Sequence, residues 1–262
     1  MTRGRRALKA VARFTDLLRG DRPGLVVLCY HRVGAGTGSE VDLAPAVFEE
    51  QLAVIAASGR LCRLEEGLDR LGGSGPADGV VVTFDDGTAD FAEQVVPALV
   101  RHGVPATLYL ATGLVGAPGA GALTWAALAD ACSTGLVSVG SHTHGHLLLD
   151  RADPHEAAVD LDRSIGAIGD HLGRPPLDFA YPKAVAPSAA NEEAVRSRFR
   201  SAALAGTRPN PVGRTDQYRL ARSPVQVADG MRYFDRKLAG GMALEDDLRR
   251  LVNRVRYAGA RT

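Results

Sequence analysis

The sequence predicts an α/β domain of parallel βαβ units closed in the manner of a barrel. Short continuous apolar runs alternate with stretches of helical spacing along the whole chain. No linker or fixed-period repeat divides the 262 residues, a length that suits one barrel-sized domain with an ample core. Each polar cluster of chemical interest falls just after a predicted strand, the edge on which α/β barrels carry their active sites.

The elements follow in order. Residues 1–22 are rich in Arg and Lys, with Leu8, Val11, Ala12, Phe14, Leu17 and Leu18 forming an apolar stripe, and read as a basic amphipathic helix. Its first reading is a helix packed on the barrel. A second is peripheral contact with an anionic membrane surface. Residues 23–262 form the barrel domain. Arg22-Pro23-Gly24 breaks the chain before a buried strand from Leu25 to His31. Helical spacing returns at Pro45–Ser58, stopped by Gly59, and at Leu64–Leu71. A second strand spans Val80–Phe84, followed by a helix from about Ala89 to His102 and a strand at Ala106–Ala111. Thr124–Cys132 reads as a helix and Val137–Gly140 as a strand. Asp153 caps a long helix that reaches Leu172, with Pro154 in its first turn. Strands at Leu177–Tyr181 and Ser201–Leu204 flank a helix at Ala189–Arg198. Tyr218–Ala221 precedes Arg222, and one or two C-terminal helices finish the chain.

Composition narrows the function classes. A net charge of +1 and 5% aromatic residues give neither the basic field nor the stacking surface of a nucleic-acid binder. The three cysteines stand far apart, so they form neither a disulfide framework nor a zinc cluster, and Cys29 reads as a buried thiol. No segment approaches the roughly 18 apolar residues of a membrane span, and no clean signal peptide opens the chain. A cytoplasmic protein, working at the inner membrane face if the basic helix docks there, is the expectation.

Four polar clusters carry chemistry. Thr83-Phe84-Asp85-Asp86-Gly87 sets two carboxylates side by side at a strand end. Both cannot ionise cheaply in a low-dielectric mouth unless a cation binds one, which frees the other as a base. Asp85-Asp86-Gly87 also serves as a strand-ending turn with a helix cap. His142, His144 and His146 fall within five residues. Positions i and i+4 place His142 and His146 on one side of a helical turn, whereas an extended stretch puts all three on one face, so the role of His144 stays open. Two imidazoles and one carboxylate make a three-ligand catalytic metal site. Tyr30-His31 ends the first strand, and the histidine reads either as structural or as part of the site. Finally, the Tyr181-Pro182-Lys183 turn could line a sugar groove, with a backbone N–H facing a developing oxyanion.

With these residues in view the chain resembles the polysaccharide deacetylase family (NodB-homology domain, carbohydrate esterase family 4). The ordered motifs are YHRV at 30–33, TFDDG at 83–87, SHTHGH at 141–146 and FAYP at 179–182. The resemblance implies a distorted (β/α) barrel of about seven parallel strands. It implies Asp85 as the catalytic base, Asp86, His142 and His146 as ligands to a divalent ion, usually Zn2+, and the Lys183 N–H as an oxyanion donor. Three departures stand out. The family's motif arginine falls on Ala180, and Arg222 in LARSPV is the substitute candidate. Ala184 replaces a usual glycine, and Lys183 a usual aromatic residue. No histidine follows His171, so the late Leu-x-His acid is missing and His31 is the candidate proton donor. The implied activity is hydrolysis of an N-acetyl group on an amino sugar, oligosaccharide or lipid-linked saccharide, with a metal-bound water as nucleophile. Cleavage of another C–N or O-acetyl bond, or a carbohydrate-binding protein without turnover, are the alternatives.

Overall fold

Seven parallel strands close into a barrel in chain order, the last pairing back onto the first. The computed structural model describes residues 23–73, 75, 76, 78–117 and 121–242. The basic helix expected at 1–22 and any helix beyond 242 lie outside the described residues.

The barrel strands are β1 (Leu25–Tyr30), β4 (Gly79–Asp86), β5 (Ala106–Leu110), β6 (Val137–Ser141), β7 (Asp178–Ala180), β8 (Ser201–Ala205) and β9 (Leu220–Pro224). Between β1 and β4 lie two short strands, β2 (Arg32–Val33) and β3 (Asp42–Leu43), and two helices, α1 (Pro45–Ala57) and α2 (Leu64–Leu71). The others are α3 (Val96–His102), α4 (Trp125–Ser133), α5 (Pro154–Leu172), α6 (Ala189–Arg196) and α7 (Gly230–Leu238). Asp153 caps α5 as expected, accepting from the amides of His155 and Glu156.

The strands are apolar on both faces because both are covered. Outward residues such as Val26, Leu28, Val80, Val82 and Phe84 pack against the helices. Inward residues Leu25, Val27, Val81, Tyr109, Ala180, Ala203 and Leu220 fill the barrel, and Leu64, Leu68 and Leu71 of α2 close one end. Each buried Val, Leu or Phe side chain among them contributes about 1.5–3 kcal/mol. The alternation has a functional consequence. Cys29, Thr83, Asp85 and Arg222 share the inward parity of Leu25, Val81 and Leu220, so polar groups occupy the barrel's upper layer.

The helix expected from Ala89 to His102 is not uniform. Phe91–Val95 widens into a π turn in which the Val96 N–H reaches back to the Phe91 carbonyl. Pro97 is the physical reason: it has no N–H for the ordinary bond, so the preceding turn relaxes. Asp90, at the start of this helix, accepts from the Val33 amide at 2.8 Å and ties down the segment after β1. No helix among the described residues is long and apolar enough to cross a membrane.

Candidate metal and catalytic site

The C-terminal ends of β1, β4, β6, β7 and β9 supply the site, as the position of the motifs predicts. β4 runs on through Asp86, whose φ of 74° is in the left-handed region and breaks the strand's alternation. The two neighbouring carboxylates thereby point into one mouth rather than to opposite faces. A left-handed non-glycine residue costs about 1–2 kcal/mol. Gly87 follows with φ 87°, and a Cβ there would lie 2.3 Å from Leu110 Cδ1, so glycine is required.

Asp86 faces His142 and His146. Its Oδ1 lies 3.7 Å from His142 Nε2 and 3.5 Å from His146 Nε2, with the two rings 5.0 Å apart. These separations are too long for hydrogen bonds. They match two donors on one cation: bonds of 2.0–2.1 Å at a tetrahedral angle put the donor atoms about 3.3 Å apart. His142 Nδ1 donates to the Ala180 carbonyl at 2.8 Å, which fixes the tautomer and leaves the Nε2 lone pair facing Asp86. Burial also holds the His142 pKa below its usual value, against the pull of Asp85 and Asp86. The donor set therefore fits a divalent ion of zinc type.

The histidines do not converge through a helical turn. The segment after Ser141 is a loop, with Thr143 at φ 67° and His146 at φ 55°. His144 turns away, its Nδ1 2.9 Å from Thr112 Oγ1. Asp160 on α5 anchors the loop, accepting from the amides of His144 at 2.7 Å and Gly145 at 2.9 Å. Thr143 Oγ1 accepts from the Leu147 amide.

Asp85 sits beside this cluster and is buried. Arg222 holds it in a fork, Nη1 to Oδ1 at 2.6 Å and Nη2 to Oδ2 at 2.8 Å. Burial alone would push the Asp85 carboxyl up. The Arg222 charge, with smaller contributions from His142 and His31, outweighs it and keeps the group ionised. Arg222 is itself buried, held by Thr83 Oγ1, the Leu204 carbonyl and the Tyr109 ring 5.1 Å away. Cys29, read from the sequence only as a buried thiol, places Sγ 3.5 Å from Asp85 Oδ2. Its inward parity on β1 was the signal that could have found it. His31 stands at the rim, with one donor atom within 4.8 Å of donor atoms of Cys29 and Asp85, and its Nδ1 is buried with no hydrogen-bond partner.

Tyr181 needs a correction. Its side chain does not line a groove. It packs 5.1 Å from Phe179 in the layer between barrel and outer helices, because the strand's alternation turns Phe179 and Tyr181 outward and Ala180 inward. Pro182 is buried too, while Lys183 is exposed. Lys183 has φ 52°, and the tight turn it belongs to uses the Ala184 and Val185 amides for its own bonds. The Lys183 amide lies one residue ahead of these, at the turn's N-terminal end.

Comparisons with known proteins bear on this geometry. A family model described as polysaccharide deacetylase matches residues 72–201, a span that includes Asp85, Asp86, His142, His146 and Lys183 but neither His31 nor Arg222. The chain is 25% identical over 220 residues to YxkH of Bacillus subtilis (strain 168), which carries a provisional polysaccharide deacetylase name. That alignment covers 82% of this chain and 75% of YxkH. Among solved structures, IcaB from Ammonifex degensii superimposes with a TM-score of 0.72 at 26% identity, over 83% of this chain and 98% of IcaB. The Streptococcus pyogenes deacetylase PplD, solved in complex with acetate, shares the fold with a TM-score of 0.70 at 21% identity, over 83% of this chain and 99% of PplD. With its seven-stranded parallel barrel and these matches, the chain is similar in sequence and fold to the polysaccharide deacetylases, enzymes that hydrolyse N-acetyl amide bonds in glycans.

Proposed function

We propose that this protein is a divalent-metal-dependent N-deacetylase of an amino sugar or N-acetylated glycan, with Asp86, His142 and His146 as the metal ligands and Asp85 as general base. The observation that carries this reading is the pair of 3.5 and 3.7 Å separations from one Asp86 oxygen to two imidazole nitrogens, next to a second carboxylate held by a different partner. The ion, most simply Zn2+, would lower the pKa of a water and polarise the acetyl carbonyl.

The chain's own residues do the rest. Asp85 takes the proton of the attacking water. Arg222 fixes the carboxylate plane and keeps it ionised, so that the base is aimed before substrate arrives. The Lys183 N–H stabilises the tetrahedral oxyanion. His31, at the rim and within reach of Asp85, protonates the leaving amine in place of the missing late histidine. Acetate and a free sugar amine leave. An oligosaccharide or a lipid-linked saccharide is the substrate class, and the latter would bring the basic segment at 1–22 into play at a membrane surface.

The test is acetate release by zinc-loaded protein from N-acetylhexosamine oligomers and lipid-linked saccharides. Turnover that disappears in Asp85→Asn is the expected result. No acetate from any of these substrates at full metal loading would overturn the reading.

A further inference from the structure

β1 and β4 are neighbours in register, with Cys29 opposite Thr83, so Cys29 and Asp85 face the same interior from adjacent strands. Cys29 Sγ lies 3.5 Å from Asp85 Oδ2. His31 follows β1, and one donor atom from each of Cys29, His31 and Asp85 falls within 4.8 Å of the others. None of the three belongs to the Asp86-His142-His146 set. His31 Nδ1 is buried without a hydrogen-bond partner, and nothing in the proposed reaction uses the Cys29 thiol.

We propose that Cys29, His31 and Asp85 form a second cation site, selective for thiophilic divalent ions, whose filling switches the enzyme off. This rests on the reading of Asp85 as the general base. The sulfur–oxygen separation already suits a shared ion. Metal–sulfur and metal–oxygen bonds of about 2.3 and 2.0 Å at a tetrahedral angle place S and O about 3.5 Å apart. A thiolate, an imidazole and a carboxylate form a softer set than the two imidazoles and carboxylate next door, so Zn2+ and Cd2+ are preferred over Mg2+ and Mn2+. On binding, the Cys29 S–H bond breaks, its proton passes to buffer and a sulfur–metal bond forms, with no change in oxidation state. Asp85 Oδ2 has a lone pair beyond the one taken by Arg222, and the second ion would occupy it. A cation held there draws charge from the whole carboxylate and lowers its basicity, so that neither oxygen takes the water's proton effectively. The nearby Arg222 charge and the first ion both repel a second cation, so this site fills only when metal is in excess.

The experiment titrates protein carrying one equivalent of zinc with Cd2+, following ultraviolet thiolate-to-cadmium charge transfer and acetate release together. The charge-transfer band should rise with one further equivalent while acetate release falls about 100-fold, the scale of a lost general base. Mg2+ and Mn2+ should do neither. In Cys29→Ser the band should vanish, and the rate, relative to that variant's own zinc-only value, should hold through the same cadmium range. Cys62→Ser and Cys132→Ser should behave like the parent. His31→Gln, an independent variant should Cys29→Ser not fold, should raise the cadmium required by about 10-fold or more. Absence of the band, its persistence in Cys29→Ser, or a band with undiminished acetate release would each overturn the proposal. If the zinc-loaded protein releases no acetate at all, the deacetylase reading fails, while the band and its stoichiometry still decide whether the second site exists.

Discussion

Arg222 and Asp85 are 137 positions apart in the chain, yet both guanidinium Nη atoms reach both carboxylate oxygens inside the barrel, at 2.6 and 2.8 Å. The pair spans β9 and β4, which flank β1, so closure of the barrel itself assembles the proposed base. Removing one partner of a buried ion pair leaves the other charge unpaired, at a cost of about 3–5 kcal/mol. Arg222→Met should therefore lower thermal stability markedly and cut kcat by about 100-fold or more, while zinc still binds with one-to-one stoichiometry. Arg222→Lys should recover part of the stability but little of the rate, since an ammonium cannot fork. Chemical denaturation and metal analysis on the same preparations check both statements.

Asp160 offers a second lever, remote from the reacting atoms. It secures the His142–His146 loop through two backbone amides. Asp160→Ala should leave the Asp86, His142 and His146 side chains in place chemically but loosen their convergence. Zinc affinity should fall by about 10–100-fold, the usual effect of losing an outer hydrogen-bond partner of a metal site. Competition with a chromogenic chelator measures it, and unchanged affinity would refute the anchoring role.

Tyr181 tests the corrected placement. Its hydroxyl is buried without a partner and its ring packs on Phe179, away from the mouth. Tyr181→Phe should leave kcat and KM within about twofold and stability unchanged or raised by about 1 kcal/mol, since an unpartnered buried hydroxyl is lost. A large rise in KM would return this side chain to the substrate groove.

Gly87 tests the turn that brings the two carboxylates together. At φ 87°, with only 2.3 Å to Leu110 for an added Cβ, Gly87→Ala should destabilise the fold by about 1–3 kcal/mol. The readout is the denaturant midpoint of the variant, and an unchanged midpoint would contradict the packing described.

Much of this architecture was legible in the residues. Runs such as those ending at Tyr30 and Phe84 identify buried strands because both faces of each are covered, and Asp153 with Pro154 marks the start of α5 through ordinary capping chemistry. Period-two alternation carries further. It turns Arg222 inward and, had it been followed along β1, would have turned Cys29 inward as well. Other features leave no local trace. β2 and β3 are two residues each, too short for any periodicity to register. The spacing of His142 and His146 suggests a helical turn, whereas left-handed conformations at Thr143 and His146, supported by Asp160 from a different element, do the work. The outward turn of Tyr181 could not be separated from a groove-lining role until β7 was seen to end at Ala180.

The most direct measurement is zinc content set beside acetate release for the parent protein, Asp85→Asn and His146→Ala. The proposed site predicts one tightly held ion in the parent and in Asp85→Asn, turnover in the parent alone, and loss of both ion and turnover in His146→Ala. A His146→Ala protein that keeps its zinc and its activity would contradict the assignment of Asp86, His142 and His146 as the metal-holding set.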